Sequence, residues 1–363
     1  MGILTEGKGI REKGNRDSAL STFNSALSHS MKITFVGPAI SRFVQNDIAI
    51  LQTEHTLKVI DSAMGRGHNA ALNLIRLHFK IIGSLFGSDA VFFWFADYYT
   101  FIPTLFARVL RKKVFVVAGG FDVAYIPEVK SGARTRKGRW FMVRNTFRYA
   151  NLILPVSNYA KKMLDDAVPH HASATVIYNT VDTKRFPFGN GERQRSALTV
   201  TQLDTVLDYK LKGIDLFIEA ARQMPDVHFD LIGIRGPALE HSRNESSRLK
   251  NISIVEGPVP FEELLRYYQT ASAYCQLSMD ESFGVAVAEA MSCGCIPVVS
   301  IVPSLEEVTG GTGYIVARND LNAITQAIEG TFTASDEDRK RCSEYVRKFD
   351  IEVRRKELLM VIR

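Results

Sequence analysis

From Met31 onward, short apolar runs alternate with longer segments in which apolar residues recur every third or fourth position. The runs KITFVG, TLKVI, AVFFWF, KVFVVAGG, LILPVS and ATVIYN read as strands, with QNDIAILQTE and AALNLIRLHFKIIG as helices between them. Nearly continuous apolar strands separated by helices are the rhythm of a parallel sheet covered on both faces. A turn-rich stretch, RFPFGNGERQRS (Arg185–Ser196), interrupts this rhythm and reads as a linker. The pattern then restarts: strand ALTVTQL, helix GIDLFIEAARQM, strands HFDLIG and NISIVEG, helix PFEELLRYYQTA, strand AYCQLS, helix FGVAVAEAMSC, strands CIPVVS and GYIVA. Two helices close the chain, near Asp320–Glu329 and from Ser335 to the end. The pattern predicts an α/β protein of two doubly wound sheets in tandem, over residues 31–188 and 189–345. Ligands of such sheets sit at the carboxyl ends of the strands, so two facing sheets make a binding cleft.

Residues 1–30 break the pattern. They are rich in Gly, Ser and charge, have no apolar core of a secretory signal, and read as a flexible or weakly helical extension. The most lipid-like run, Ala90–Leu110, is interrupted by Asp97 and divided by Pro103; a buried strand and a following helix account for it better than a membrane span. Charged residues make up 23% of the 363 residues and hydrophobic ones 46%, which fits a soluble globular chain with two cores. A net charge of +6 favours anionic partners: phosphorylated substrates, acidic lipid heads or nucleic acid. Four cysteines form no disulfide-like framework, and Cys293 and Cys295 are too close together and too apolar in setting for a zinc site, so a reducing cytosol is the expected compartment.

The segment MDESFGVAVAEAMSCGCIPVVS holds the candidate chemistry. A helix beginning at Phe283–Gly284 would present free backbone N–H groups and about half a positive charge, an anion site that a glycine leaves open to close approach. Glu281 hangs just outside it. Glu289 lies about 7.5 Å further along the axis, at roughly 1.5 Å per residue, in apolar surroundings. Its helical neighbours Val285, Ala286, Ser292 and Cys293 bring no cation. A buried carboxylate demands a partner, at a cost of roughly 3–5 kcal/mol if one is missing. That partner is a side chain from another element, or solvent, or the vicinal hydroxyls of a bound ribose.

ESFGVAVAEAMSCGCIPVV resembles the E-x7-E segment of family 4 retaining glycosyltransferases, which share the two-domain GT-B fold of facing Rossmann-like domains. KLKGIDLFIEAA is similar to that family's K-G helix start, VIYNTVDTKRFPF to its interdomain segment, and PSLEEVTGGTGYIV, loosely, to its P-E loop and strand. The resemblance runs from about Met31 to the C-terminus. It implies that Glu281 contacts the donor sugar and Glu289 the ribose, and that the backbone of Phe283, Gly284 and Val285 holds sugar hydroxyls or phosphate. Ser282 and Val259 fall on the donor side with them. It further implies that the last helix, within residues 346–363, packs back across the linker toward the N-terminal domain. The family supplies an Arg and a Lys to the departing diphosphate. Lys212 fits the second, but Gln202 stands where the Arg is expected, with Lys210 as a candidate substitute; both lysines also read as solvated loop charges. Gly37, after the first strand, fits a loop whose amides meet the diphosphate. No Asp-x-Asp or His/Cys cluster suggests a metal, and the resemblance implies that cations and the helix dipole serve instead. The only small-molecule partner implied is a nucleotide diphosphate sugar, as co-substrate.

On the acceptor side, Asp122 after VVAGGF reads either as the group that orients an acceptor hydroxyl or as a turn aspartate, in a place where many relatives carry a histidine. Ser157 in PVSNYA reads as a helix cap. Between Arg108 and Arg148 there are eleven Lys or Arg and two acids, interleaved with aromatics: a solvated basic face, a dock for an anionic membrane bearing a lipid-linked acceptor, or, lacking any recognised module, nucleic acid. The reading that follows is a metal-independent retaining glycosyltransferase acting on a hydroxyl acceptor, cytoplasmic with peripheral membrane contact open. A sugar-nucleotide epimerase on the same fold and a binding protein without turnover are the rivals.

Overall fold

The computed structural model describes residues 30–63, 69–203 and 205–363. The N-terminal extension, apart from Ser30, lies outside them. Two parallel sheets form, one per half. The first contains β1 (Lys32–Gly37), β2 (Thr56–Asp61), β3 (Ala90–Trp94), β4 (Lys113–Ala118) and β5 (Leu152–Pro155) in the order β2-β1-β3-β4-β5. Its helices are α1 (Arg42–Leu51), α2 (Ala70–Leu85), α3 (Phe101–Val109), α4 (Lys137–Tyr149) and α5 (Asn158–Ala167).

The second sheet has the order β11-β10-β9-β6-β7-β8, built from β6 (Gln194–Val200), β7 (His228–Ile234), β8 (Ile252–Glu256), β9 (Ala271–Gln276), β10 (Ile296–Ser300) and β11 (Tyr314–Val316). Around it lie α6 (Val206–Leu211), α7 (Ile214–Gln223), α8 (Gly236–Glu245), α9 (Phe261–Thr270), α10 (Val285–Ser292), α11 (Pro303–Thr309), α12 (Leu321–Thr331) and α13 (Asp336–Tyr345); α14 (Ile351–Val361) ends the chain. Central strands β3, β9 and β10 are buried at every residue, while edge strands β2 and β8 are largely open on one side. This division explains why the central runs are so uniformly apolar and TLKVI is mixed.

Three expectations need correction. ATVIYN is an extended segment bridged to β5 at Ile153 and Ala174, not a sixth strand. The amides of Thr175 and Ile177 donate to Ile153 and Pro155 carbonyls, and the chain then leaves the sheet because the Ile177 and Tyr178 carbonyls are taken by Arg354. The helix expected from Ser335 to the end is two helices. Asp350, in extended conformation, caps the second, and its neighbour Phe349 accepts a hydrogen bond from the Val181 amide where the chain crosses the linker. Helix α8 has no counterpart among the expected elements, since GPALEHSRNE has a weak apolar stripe and a Gly-Pro start.

Helix α14 packs on α1 of the first domain. Arg354 donates through Nε and Nη2 to both carboxylate oxygens of Asp47, each at 2.6 Å, and Trp94 Nε1 donates to Asp47 at 2.6 Å. Arg354 is 2% exposed and Asp47 fully buried. One apolar cluster runs through the junction of the halves; there Phe349 meets Phe283 at 5.1 Å and Tyr178 at 5.0 Å between ring centroids. No helix among the described residues is long and apolar enough to cross a membrane.

Candidate functional site

Strand β9 ends at Gln276, and the chain runs through Leu277–Phe283 before α10 begins. Three contacts fix this loop. Ser300 Oγ donates to the Ser278 carbonyl at 2.6 Å, the Met279 amide to the Leu211 carbonyl at 2.8 Å, and Ser304 Oγ to the Glu281 carbonyl. Gly284 occupies the N-cap position with φ +90° and ψ 58°, the left-handed region, and offers no capping side chain. The first amides of α10 therefore have no side-chain acceptor at the cap. Phe283 turns its ring into the junction cluster, 2% exposed, which leaves its backbone to line the site. Val285 is half-buried beside it.

Two carboxylates flank this helix start. Glu281 accepts from Lys212 Nζ at 2.8 Å, so the K-G turn after α6 and the loop before α10 meet here. Burial pulls the Lys212 pKa down, but the facing Glu281 carboxylate outweighs it and the net direction is up. Glu289 sits one turn into α10 and is buried. Its Oε2 accepts from the hydroxyl of buried Tyr268 at 3.0 Å, and its Oε1 accepts from Arg42 Nη1 at 3.3 Å. Burial raises the Glu289 pKa above the ordinary glutamate value; Arg42 and the Tyr268 hydroxyl oppose the shift without cancelling it. Glu289 is thus partnered by side chains from other elements, Tyr268 of its own domain and, as the cation, Arg42 of the opposite domain. Arg42 opens α1, is half-exposed, and lies over the ring of Phe186 at 5.9 Å; Arg185, whose charge also acts on Glu289, lies over the ring of Phe261 at 4.2 Å.

The N-terminal domain closes on the same loop. Ser157 Oγ accepts from the Ala160 amide as the cap of α5 and also donates to the Ser282 carbonyl at 2.6 Å. Tyr159 donates to Asp280 at 2.9 Å. Gly120 lies so close to Ser282 that an added Cβ would fall 1.5 Å from Ser282 Oγ. Asp122 stands two residues further on, fully buried. It accepts from the amides of Gly120 (2.9 Å), Ala96 (3.2 Å) and Gly119 (3.3 Å), and burial raises its pKa to about 6 against those bonds. Its carboxylate thus holds the loop through backbone amides. A cavity of about 480 Å³ opens beside this loop between the domains, lined by Tyr125, Glu128, Arg134, Tyr159, Met279 and Asp280 among others.

Among the described residues, none of the remaining expected ones hydrogen-bonds to Glu281 or Glu289. Gln202 and Lys210 are exposed, and the Lys210 carbonyl accepts from Arg318 at 3.0 Å. Val259 is half-buried against the junction cluster, and Gly37 is buried against Trp94 at the end of β1. Arg42 is the site residue that sequence reasoning misses. Its only signal is a lone arginine where the loop after Gly37 enters a helix, and nothing local ties it to a glutamate 247 positions away.

Two facing parallel-sheet domains, with a glycine-opened helix start and two carboxylates at their junction, define the GT-B class of protein. Residues 181–349 match the model of the family described as glycosyl transferases group 1. It is 27% identical over 181 residues to the D-inositol 3-phosphate glycosyltransferase of Mycobacterium sp. (strain KMS), covering 46% of this chain and 41% of that protein. It is 25% identical over 263 residues to the GDP-mannose:cellobiosyl-diphosphopolyprenol alpha-mannosyltransferase of Xanthomonas oryzae pv. oryzae (strain PXO99A), covering 67% and 66%. The match thus spans about two fifths of the first relative's length and about two thirds of the second's. Among solved structures, Anabaena Alr3699/HepE in complex with UDP and glucose superposes with a TM-score of 0.71 at 15% identity, covering 92% of this chain and 99% of that one.

Proposed function

We propose that the chain is a retaining, metal-independent glycosyltransferase of family 4 type that moves a sugar from a nucleotide diphosphate sugar, with UDP or GDP as carrier, to a hydroxyl of a glycan or lipid-linked acceptor. The observation that carries this reading is the α10 start, where amides with no capping side chain among the described residues lie between the Glu281–Lys212 pair and Glu289. In this reading Glu289 accepts the two ribose hydroxyls, and the Phe283–Val285 backbone holds the sugar and the near phosphate. Glu281 positions the sugar and stabilises its cationic character as the anomeric bond lengthens. Lys212, the helix dipole and Arg42 meet the charge that develops on the departing diphosphate. Arg42 answers the departure at Gln202: the missing cation of the donor domain is replaced from across the cleft. The acceptor hydroxyl attacks from the same face that the diphosphate leaves, and the leaving phosphate oxygen takes its proton. Domain closure through Ser157, Tyr159 and Gly120 excludes water. Relatives named for GDP-mannose and for a UDP complex support the donor class.

A thermal-shift series against UDP, GDP, ADP and CDP tests the donor assignment. One base stabilises the wild type, and Glu289→Ala loses most of that shift. No response to any nucleotide, or an undiminished one in the variant, sinks the assignment. Anomeric configuration of the product, read by NMR, tests retention. Gln202 favours one rival, a binder without turnover; nucleotide release in the presence of acceptor separates the two.

A further inference from the structure

Helices α2, α3 and α4 lie next to one another on one side of the first sheet. A helix covering a sheet turns its apolar stripe inward and its polar face out. These helices bury one stripe, through Leu77 and Ile81, Ala107, Val143 and Phe147, and carry a second apolar stripe outward. On α2, Leu72, Ile75 and Phe79 are exposed, Phe79 by 73%; on α3, Ile102, Leu105, Phe106 and Val109 are exposed at helical spacing, Val109 by 81%. The Phe101 ring, 5.9 Å from Phe141 and 6.1 Å from Tyr149, joins α3 to the exposed aromatics of α4. Single exposed apolar residues are ordinary, but a contiguous patch marks an interaction surface.

The charge around this patch identifies what covers it. Arg76, Lys80, Arg108, Lys137 and Arg148 are exposed on the same three helices, which contain no Asp or Glu. A second copy of the chain would bring like charges together. A bilayer with anionic headgroups takes both features: apolar side chains enter the headgroup–acyl boundary while lysine and arginine tips stay at the phosphates. The acceptor cavity adjoins this face. Arg134 on its wall lies over Tyr125 at 5.3 Å and over Trp140 of α4 at 5.6 Å, and Arg139 of α4 lies over the ring of exposed Phe121 at 5.2 Å.

We propose that the α2–α3–α4 face docks on an anionic lipid bilayer and holds the Arg134 cavity at the headgroup layer. An acceptor anchored in that layer then reaches the cleft without leaving the membrane; this second clause rests on the transfer reading, the docking does not.

Flotation of the full chain tests the docking, with vesicles of phosphatidylcholine alone or of equal parts phosphatidylcholine and phosphatidylglycerol. The chain floats with the anionic vesicles only, and raised salt weakens the binding. Phe79→Ser with Val109→Ser lowers partitioning at least about tenfold, and Arg76→Ser with Lys80→Ser by on the order of twentyfold. All four positions are exposed, so the melting temperature stays. No flotation, equal binding to both vesicles, or binding that survives the apolar pair overturns the proposal. So does a dimer in light scattering that the apolar pair dissolves, which would make the face a self-interface. The nucleotide shift is read in the same variants: lost docking with an intact shift leaves the transfer reading standing, and the reverse leaves the docking.

Discussion

Glu289 and Asp122 are both carboxylates driven toward protonation by burial, and they differ in what stands in front of them. Glu289 faces a cation across the cleft; Asp122 faces only amides. For Asp122 the folded-state pKa of about 6 lies above the ordinary 3.8, so its contribution to stability is complete below the ordinary value and is lost as pH rises through about 6. The difference is worth on the order of 3 kcal/mol. Carboxyl-carbon NMR should report one aspartate titrating near 6, and stability by denaturant melts should fall between the two values in the wild type but not in Asp122→Asn. A single aspartate titration clustered near 4, with no such fall, would refute the buried geometry. The two glutamates were legible from their spacing about one helix start, whereas Lys212 was legible only through the resemblance of KLKG to a family turn. The amide contacts of Asp122 were not legible there, because nothing in VVAGGFD tells whether the side chain points into the cleft or under the loop. Arg42 was invisible for a different reason: its partnership exists only after two domains meet.

Among elements, the approach of the β4 exit loop to the α10 start is the tightest. Gly120 has φ +109° and no room for a Cβ against Ser282. Gly120→Ala should therefore push the domains apart, lowering transfer at least about tenfold while much of the nucleotide-induced shift, which in the proposed function rests chiefly on Glu289 and the α10 start, persists. Adding Ser282→Gly removes the obstructing atoms and restores much of the activity, leaving a conformational penalty of about 1–2 kcal/mol. If the single variant transfers sugar at the wild-type rate, the close approach has no bearing on turnover. Strands and their order of appearance were readable from apolar runs, since a central parallel strand cannot hide its composition. ATVIYN deceived because β-branched residues suit any extended segment, and only the competing claim of Arg354 on its carbonyls removed it from the sheet. The apolar pattern alone missed the break before α14, because Val346–Phe349 continues it while the backbone turns; the separate last helix was legible only through the family resemblance.

At the scale of the whole molecule, the last helix belongs spatially to the first domain. Arg354 is buried on Asp47 with both fork nitrogens engaged, so Arg354→Ala leaves an uncompensated carboxylate and should cost roughly 3–5 kcal/mol. Urea melts followed by Trp fluorescence will show it, because Trp94 shares the same carboxylate. Replacing Asp47 with Asn in that background should recover part of the loss, and a single variant as stable as wild type would mean the contact is not closed in solution. The contact also has a temporal consequence. A ribosome delivers Asp47 long before Arg354, so the first domain emerges with an unneutralised acid beside Trp94 at its heart. Nascent chains arrested before residue 354 should remain protease-sensitive around Trp94, and resistance should arrive only with the final helix.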